Sequence, residues 1–249
     1  MRLASGIATS AVAVAIALSI GGPRAAFAHC RASAADLVTE ARPLRGFHRI
    51  GVGGPIDLVI KQGARESVTV RADRKLMPHV KSAVKDGRLV LDLDRDPSRP
   101  ERHLCPGDLV VEITVVQLSA LDVWGPSRVE VGKLGGKRLA LDLSGPTDVV
   151  ADQIAFDELE LSMSGPASVR FGGQVARQRI DISGPAEYAG ERLASRSARV
   201  EMSGPGDARV LASDDLDVEI SGVGTVGYLG NPRVTRRVSG LGSLRRLRR

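Results

Sequence analysis

The chain has 249 residues, 43% of them hydrophobic and only 3% aromatic, with 35 Lys and Arg against 29 Asp and Glu. That apolar content excludes a wholly disordered chain, and the scarcity of aromatics leaves few platforms for stacking bases or sugars. The net charge of +6 points to nucleic acid only until it is located: residues 1–28 hold two Arg and no acid, residues 233–249 hold seven Arg and no acid, and residues 29–232 carry 26 basic against 29 acidic side chains.

The chain opens with a positive Met1-Arg2, then an almost wholly apolar run from Ile7 to Ile20. Gly21-Gly22-Pro23 breaks the run, and Ala26-Phe27-Ala28 fits the small-x-small cleavage rule. The run is shorter than the ~20 residues that a span needs, so residues 1–28 read as a secretory signal peptide cleaved after Ala28. A lipid-modified Cys30 fits less well, because His29 rather than a small residue precedes it. The mature chain is expected in the periplasm or at the cell surface, with no transmembrane span and with residues 29–45 as a linker. Export discounts cytoplasmic nucleic acid as a partner. Export also permits a disulfide between Cys30 and Cys105, and two unpaired thiols remain the other reading.

Residues 50–60, with Gly54-Pro55 at their centre, predict a first strand–corner–strand coil. Val68–Val70, Leu89–Leu93 and Leu109–Ile113 predict strands. Leu76, Val80 and Val84 are four apart and predict one short helix over Lys75–Lys85, ended by Asp86-Gly87. The charged, Pro-rich residues 94–108 predict a loop.

A repeat then begins. Ser-Gly-Pro occurs at 144–146, 164–166, 183–185 and 203–205, preceded by Trp124-Gly125-Pro126 and followed by Ser221-Gly222-Val223 and Ser239-Gly240-Leu241. The seven marker glycines are spaced by 20, 20, 19, 20, 18 and 18 residues. Aligned on them, positions four and two residues earlier are apolar, as in Leu121 and Val123 or Val200 and Met202, except for Arg236 in the last repeat. The position between is polar: Asp122, Asp142, Ser162, Asp181, Glu201, Glu219 and Arg237. Period-two alternation marks a strand with one buried face. A repeat of ~20 residues is too short for a propeller blade and lacks the fixed Asn of a leucine-rich repeat. The expectation is an all-β fold, a parallel β-solenoid with 18–20 residues per coil, coils stacked ~4.8 Å apart, and side chains in ladders. An antiparallel sandwich is the rival that the constant corner register disfavours.

These motifs occur in a recognisable order. Phe47-His48-Arg49-Ile50 leads into Asp57–Gly63, then Val68–Asp73 and Gly87–Leu91, then the Ser-Gly repeats and Gly227-Tyr228-Leu229-Gly230-Asn231-Pro232. In this the chain resembles the bacterial adhesin-head domain called GIN, over about residues 47–243. The resemblance implies a right-handed β-helix, an exported protein and a cell-envelope setting, and no particular activity. It places a GIN-like domain at 46–243 and an Arg-rich tail at 244–249. The prolines after the marker glycines and the Arg-rich end depart from the family pattern.

Catalytic motifs are scarce. The four His lie at 29, 48, 79 and 103, all before the repeats, and no nucleophile elbow, phosphate loop or zinc signature is present, so no cofactor is implied. The candidate surface is the outward acidic ladder Asp122, Asp142, Asp181, Glu201 and Glu219. Stacked carboxylates repel, and either Ca²⁺ or neighbouring Arg179 and Arg199 would relieve them. The second candidate is the basic end, Arg236, Arg237, Arg245, Arg246, Arg248 and Arg249, read as a contact for anionic lipid or lipopolysaccharide or as a solvated tail. The leading expectation is a non-enzymatic module that binds an envelope component or surface polymer. The alternative is a polysaccharide lyase or hydrolase that uses the acidic ladder, with calcium.

Overall fold

The structure is a computed structural model that describes residues 37–94 and 108–248. Residues 1–28, expected to be a signal peptide, and Cys30, Cys105 and Arg249 lie outside the described residues.

Among the described residues, alternating apolar residues produce 17 strands that join in one continuous, coiled sheet. The first seven are β1 (Leu37–Arg42), β2 (Arg49–Val52), β3 (Ile56–Gln62), β4 (Ser67–Asp73), β5 (Val80–Lys85), β6 (Arg88–Leu93) and β7 (Leu109–Val115). The repeats form β8 (Ala120–Val123), β9 (Ser127–Val131), β10 (Leu134–Leu143), β11 (Thr147–Met163), β12 (Ala167–Ile182), β13 (Ala186–Met202) and β14 (Pro205–Ile220). The last coils are β15 (Val223–Leu229), β16 (Arg233–Val238) and β17 (Leu241–Arg246). All pairings from β8 onward are parallel, giving the expected β-solenoid of about six turns.

The columns aligned on the marker glycines are the register of the sheet. Leu121, Leu141, Leu161, Ile180, Val200 and Val218 pair in succession, and each is 4% exposed or less. Each rung adds an apolar side chain to the rung below, so the core is a stack that every coil extends. Differences in coil length are absorbed away from the corners. Register slips fall between Ala151 and Ile154, between Arg170 and Gly172, and between Gly190 and Ala194.

At the corners, none of the seven marker glycines has a positive φ. The constraint is instead a close approach. A Cβ on Gly184 would lie 2.3 Å from the Ser164 carbonyl oxygen, and one on Gly204 would lie 2.3 Å from that of Ser183. Backbone of one coil occupies the space of the next coil's side chain, so only glycine fits. Gly54 joins this column beneath Gly125, whose Cβ would lie 2.1 Å from the Gly54 nitrogen. Residues 50–60 are therefore a coil, as their pattern predicts.

The order of the first coils departs from the order of the chain. β2 and β3 lie between β6 and β7 on one side and β8 and β9 on the other. The end beyond β6 and β7 is closed by antiparallel strands, β5 against β6 and β1 against β4 against β7. The exposed edge strand β5 carries Lys81 and Lys85, side chains that discourage edge-to-edge pairing.

The helix expected over Lys75–Lys85 is not formed. A single 3-10 turn at Met77–His79 leads into β5, and Asp86-Gly87 is a two-residue hairpin with φ of 50° and 73°. A spacing of four residues satisfies both a helical face and one face of a strand, and β6 was available as a partner.

Candidate functional site

The structure brings the acidic ladder together as one outward row. Asp122, Asp142, Ser162, Asp181, Glu201, Glu219 and Arg237 pair in register on successive coils. Cations are interleaved with that row. Arg88 pairs with Asp122 at 2.8 Å, and Arg179 with Asp181 at 3.2 Å and Glu201 at 3.0 Å. Arg199 reaches Glu201 at 2.5 Å and Asp217 at 3.4 Å, and Arg237 lies 3.8 Å from Glu219. Asp142 alone of the five has no ion pair among the described residues. The Arg199 hydrogen bond, with the Arg179 charge beside it, holds the Glu201 carboxyl below the ordinary carboxylate value against a smaller effect of burial. Among the described residues, no group of three or more His, Cys, Asp or Glu is placed to hold a metal.

The basic end is part of the solenoid. β16 pairs with β14 and β17 with β15, and the Leu247 N–H donates to the Tyr228 carbonyl at 2.8 Å. The coil thus runs past the expected boundary at residue 243, and Arg245 and Arg246 are strand residues. Arg236 occupies the column of the buried Val218, yet it is exposed, because no coil lies beyond it among the described residues. Val238, in the next core column, is exposed for the same reason. Arg233 pairs with Asp215 at 2.8 Å, and Arg246 donates to the Gly230 carbonyl at 3.0 Å. Arg236, Arg245 and Arg248 have no ion pair among the described residues. Arg248 also lines, with Leu211, Leu229, Leu247, Gly230, Asn231 and Arg246, an open cleft of about 780 Å³.

The marker serines are exposed, and their backbone N–H groups donate to the coil below, as from Ser183 to Met163 at 2.9 Å. Trp124 stands first in their column and is 43% exposed. Its position at the head of a serine column was the signal available in the sequence, but the partners around it come from residues 51–92, which no repeat links to it.

The family described as "Putative auto-transporter adhesin, head GIN domain" matches residues 46–232. The chain belongs to that family. Solved structures share the GIN fold of this chain at low identity. A "putative adhesin" of Bacteroides fragilis is 20% identical with a TM-score of 0.80, covering 86% of this chain and 98% of that one. A "putative lipid binding protein" of Parabacteroides distasonis is also 20% identical, with a TM-score of 0.66 and the same coverage. A "putative adhesin" of Parabacteroides merdae is 18% identical, with a TM-score of 0.63 over 86% and 98% of the two chains. No curated protein matches the chain. Among the described residues of this GIN domain, no helix is long and apolar enough to cross a membrane.

Proposed function

We propose that this GIN domain is an exported, non-enzymatic binding module of the bacterial cell envelope. In this reading its last coil contacts phosphate-bearing amphiphiles, either anionic phospholipid or lipopolysaccharide. The observation that carries the reading is the segregation of charge. In the repeats Arg138, Arg177, Arg179, Arg199 and Arg209 each pair with a carboxylate, whereas Arg236, Arg245 and Arg248 at the basic end have no such pair among the described residues, and Arg248 lines a cleft with Leu211, Leu229 and Leu247. Cations beside apolar surface suit a ligand that is anionic at one end and apolar at the other. The polysaccharide-enzyme alternative has less support, because four of the five carboxylates of the acidic row are paired with arginine.

Binding of the mature protein to phosphatidylglycerol vesicles, phosphatidylcholine vesicles and lipopolysaccharide micelles tests the reading. Binding is expected to the anionic surfaces only, and to weaken with salt. The triple variant R236Q/R245Q/R248Q is expected to lose about 100-fold in affinity, at about 1 kcal/mol per cation near such a surface. Equal binding to neutral vesicles, or an unaffected triple variant, overturns it.

A further inference from the structure

The one Trp of the chain lies in an arrangement that the repeats do not explain. Trp124 follows β8, at the corner where the later coils carry serine. Its ring lies across the outer side of β2 and the residue that follows it. A Cβ on Gly53 would lie 2.2 Å from Trp124 Nε1, and one on Gly51 would lie 3.0 Å from Cζ3. The indole therefore spans both glycines, and each is buried although it points outward. Any side chain at 51 or 53 would lift the ring.

Polar groups gather around this ring, and the Arg88 guanidinium lies over it. The Arg88 guanidinium carbon is 5.6 Å from the ring centroid, and its Nη2 is held by Asp122 at 2.8 Å. Arg88 Nε is enclosed with no hydrogen-bond acceptor. On the other side, Asp92 Oδ1 would lie 2.9 Å from a Gly53 Cβ, close to the indole N–H edge. That oxygen accepts from the Leu93 N–H at 2.8 Å, and the Asp92 side chain is on the surface. Trp124 is 43% exposed, so part of the indole meets solvent, with the Arg88 guanidinium packed on the ring and the Asp122 and Asp92 carboxylates nearby.

We propose that Trp124, Arg88, Asp92 and Asp122 form a binding site for the pyranose ring of a neutral sugar. The apolar C–H face of a pyranose stacks on the indole. Its equatorial hydroxyls donate to Asp92 and Asp122 and accept from Arg88. The carboxylates and the guanidinium take complementary roles, which a lipid tail or a simple anion would not use. The site lies in the first coils, and it stands apart from the anionic contact proposed for the last coil.

The single Trp makes the test direct, because its emission reports this site alone. The mature protein is titrated with methyl α-D-glucopyranoside, methyl β-D-galactopyranoside and N-acetylglucosamine, with acyclic sorbitol as the control. A saturable change in emission is expected with at least one pyranoside, with a Kd of about 1–10 mM for a single ring, and none with sorbitol. D92N, which keeps Trp124 and the acceptor for Leu93, is expected to weaken binding about tenfold. W124A is expected to abolish it, read by saturation-transfer NMR, while anionic vesicle binding stays unchanged. No saturable response to any pyranoside at 50 mM, or an equal response to sorbitol, overturns the proposal and leaves Trp124 as a cover for glycine backbone.

Discussion

At the scale of single residues, the corners depend on an absent atom. Gly184 has an ordinary backbone conformation, yet its missing Cβ makes room for three backbone atoms of the coil below, all within 2.8 Å of where that carbon would be. Backbone cannot rotate away as a side chain can, so G184A is expected to destabilise the fold by about 1–3 kcal/mol. The neighbouring exposed Pro185→Ala should cost far less, and urea midpoints of the two variants compare them directly. Inside the stack, the Tyr188 hydroxyl donates to Gln178 Oε1 at 2.8 Å, Gln178 Nε2 donates to Ser195 at 2.9 Å, and Ser195 donates to the Leu211 carbonyl at 2.7 Å. Tyr188 is fully buried, and burial raises its phenol above the ordinary value. Y188F leaves Gln178 Oε1 without that donor and is expected to cost about 1–3 kcal/mol by the same measurement. Tyr188 was legible as an inward residue from its place four after the marker Gly. Gln178 was not, because it lies in the stretch where the repeat loosens.

At the scale of elements, period-two alternation made the walls of the solenoid legible, since inward and outward positions are a local property of a strand. The same argument failed at Val80–Lys85, where spacing by four could not separate strand from helix. The Asp-Gly pair that follows was the better guide, as it suits a two-residue hairpin. Coil length is elastic only where the sheet already slips. One Gly inserted between Asp152 and Gln153, beside the slip from Ala151 to Ile154, is expected to leave the thermal midpoint nearly unchanged. The same insertion between Gly165 and Pro166 breaks a stacked corner and is expected to unfold the neighbouring coils, visible as lost amide protection in hydrogen exchange.

At the scale of the whole molecule, the outer wall is a lattice of opposite charges that joins one coil to the next. Glu201 has its folded value depressed by Arg199 and Arg179, so its contribution to stability is complete above its unfolded value near 4.5 and is lost as pH falls through the folded value. The pair is largely solvent-exposed, so the contribution is small. E201Q is expected to flatten the acid side of the stability profile below about pH 4.5 and to leave its alkaline side unchanged. The same lattice bears on the acidic ladder. With Asp122, Asp181, Glu201 and Glu219 each facing an arginine, millimolar calcium is expected to leave the melting temperature where it was, and a clear rise would restore a metal site on that face.

By itself the sequence determined the coil: its length, its corner, its inward and outward columns, the family, and the confinement of unbalanced positive charge to the two ends. These follow from periodicity and composition, which need no knowledge of distant neighbours. Only the tertiary structure decided the order of the coils and what covers what. Ser127 donates to the Gly54 carbonyl across 73 residues of chain, and β2 lies between strands that follow it by dozens of residues. It also decided that the basic end is a strand-built coil whose core side is covered by no further coil among the described residues, and that the one Trp lies on a bed of two glycines from another coil. Contacts of that kind are set by which surfaces remain unburied after the local elements form, and no local pattern records them.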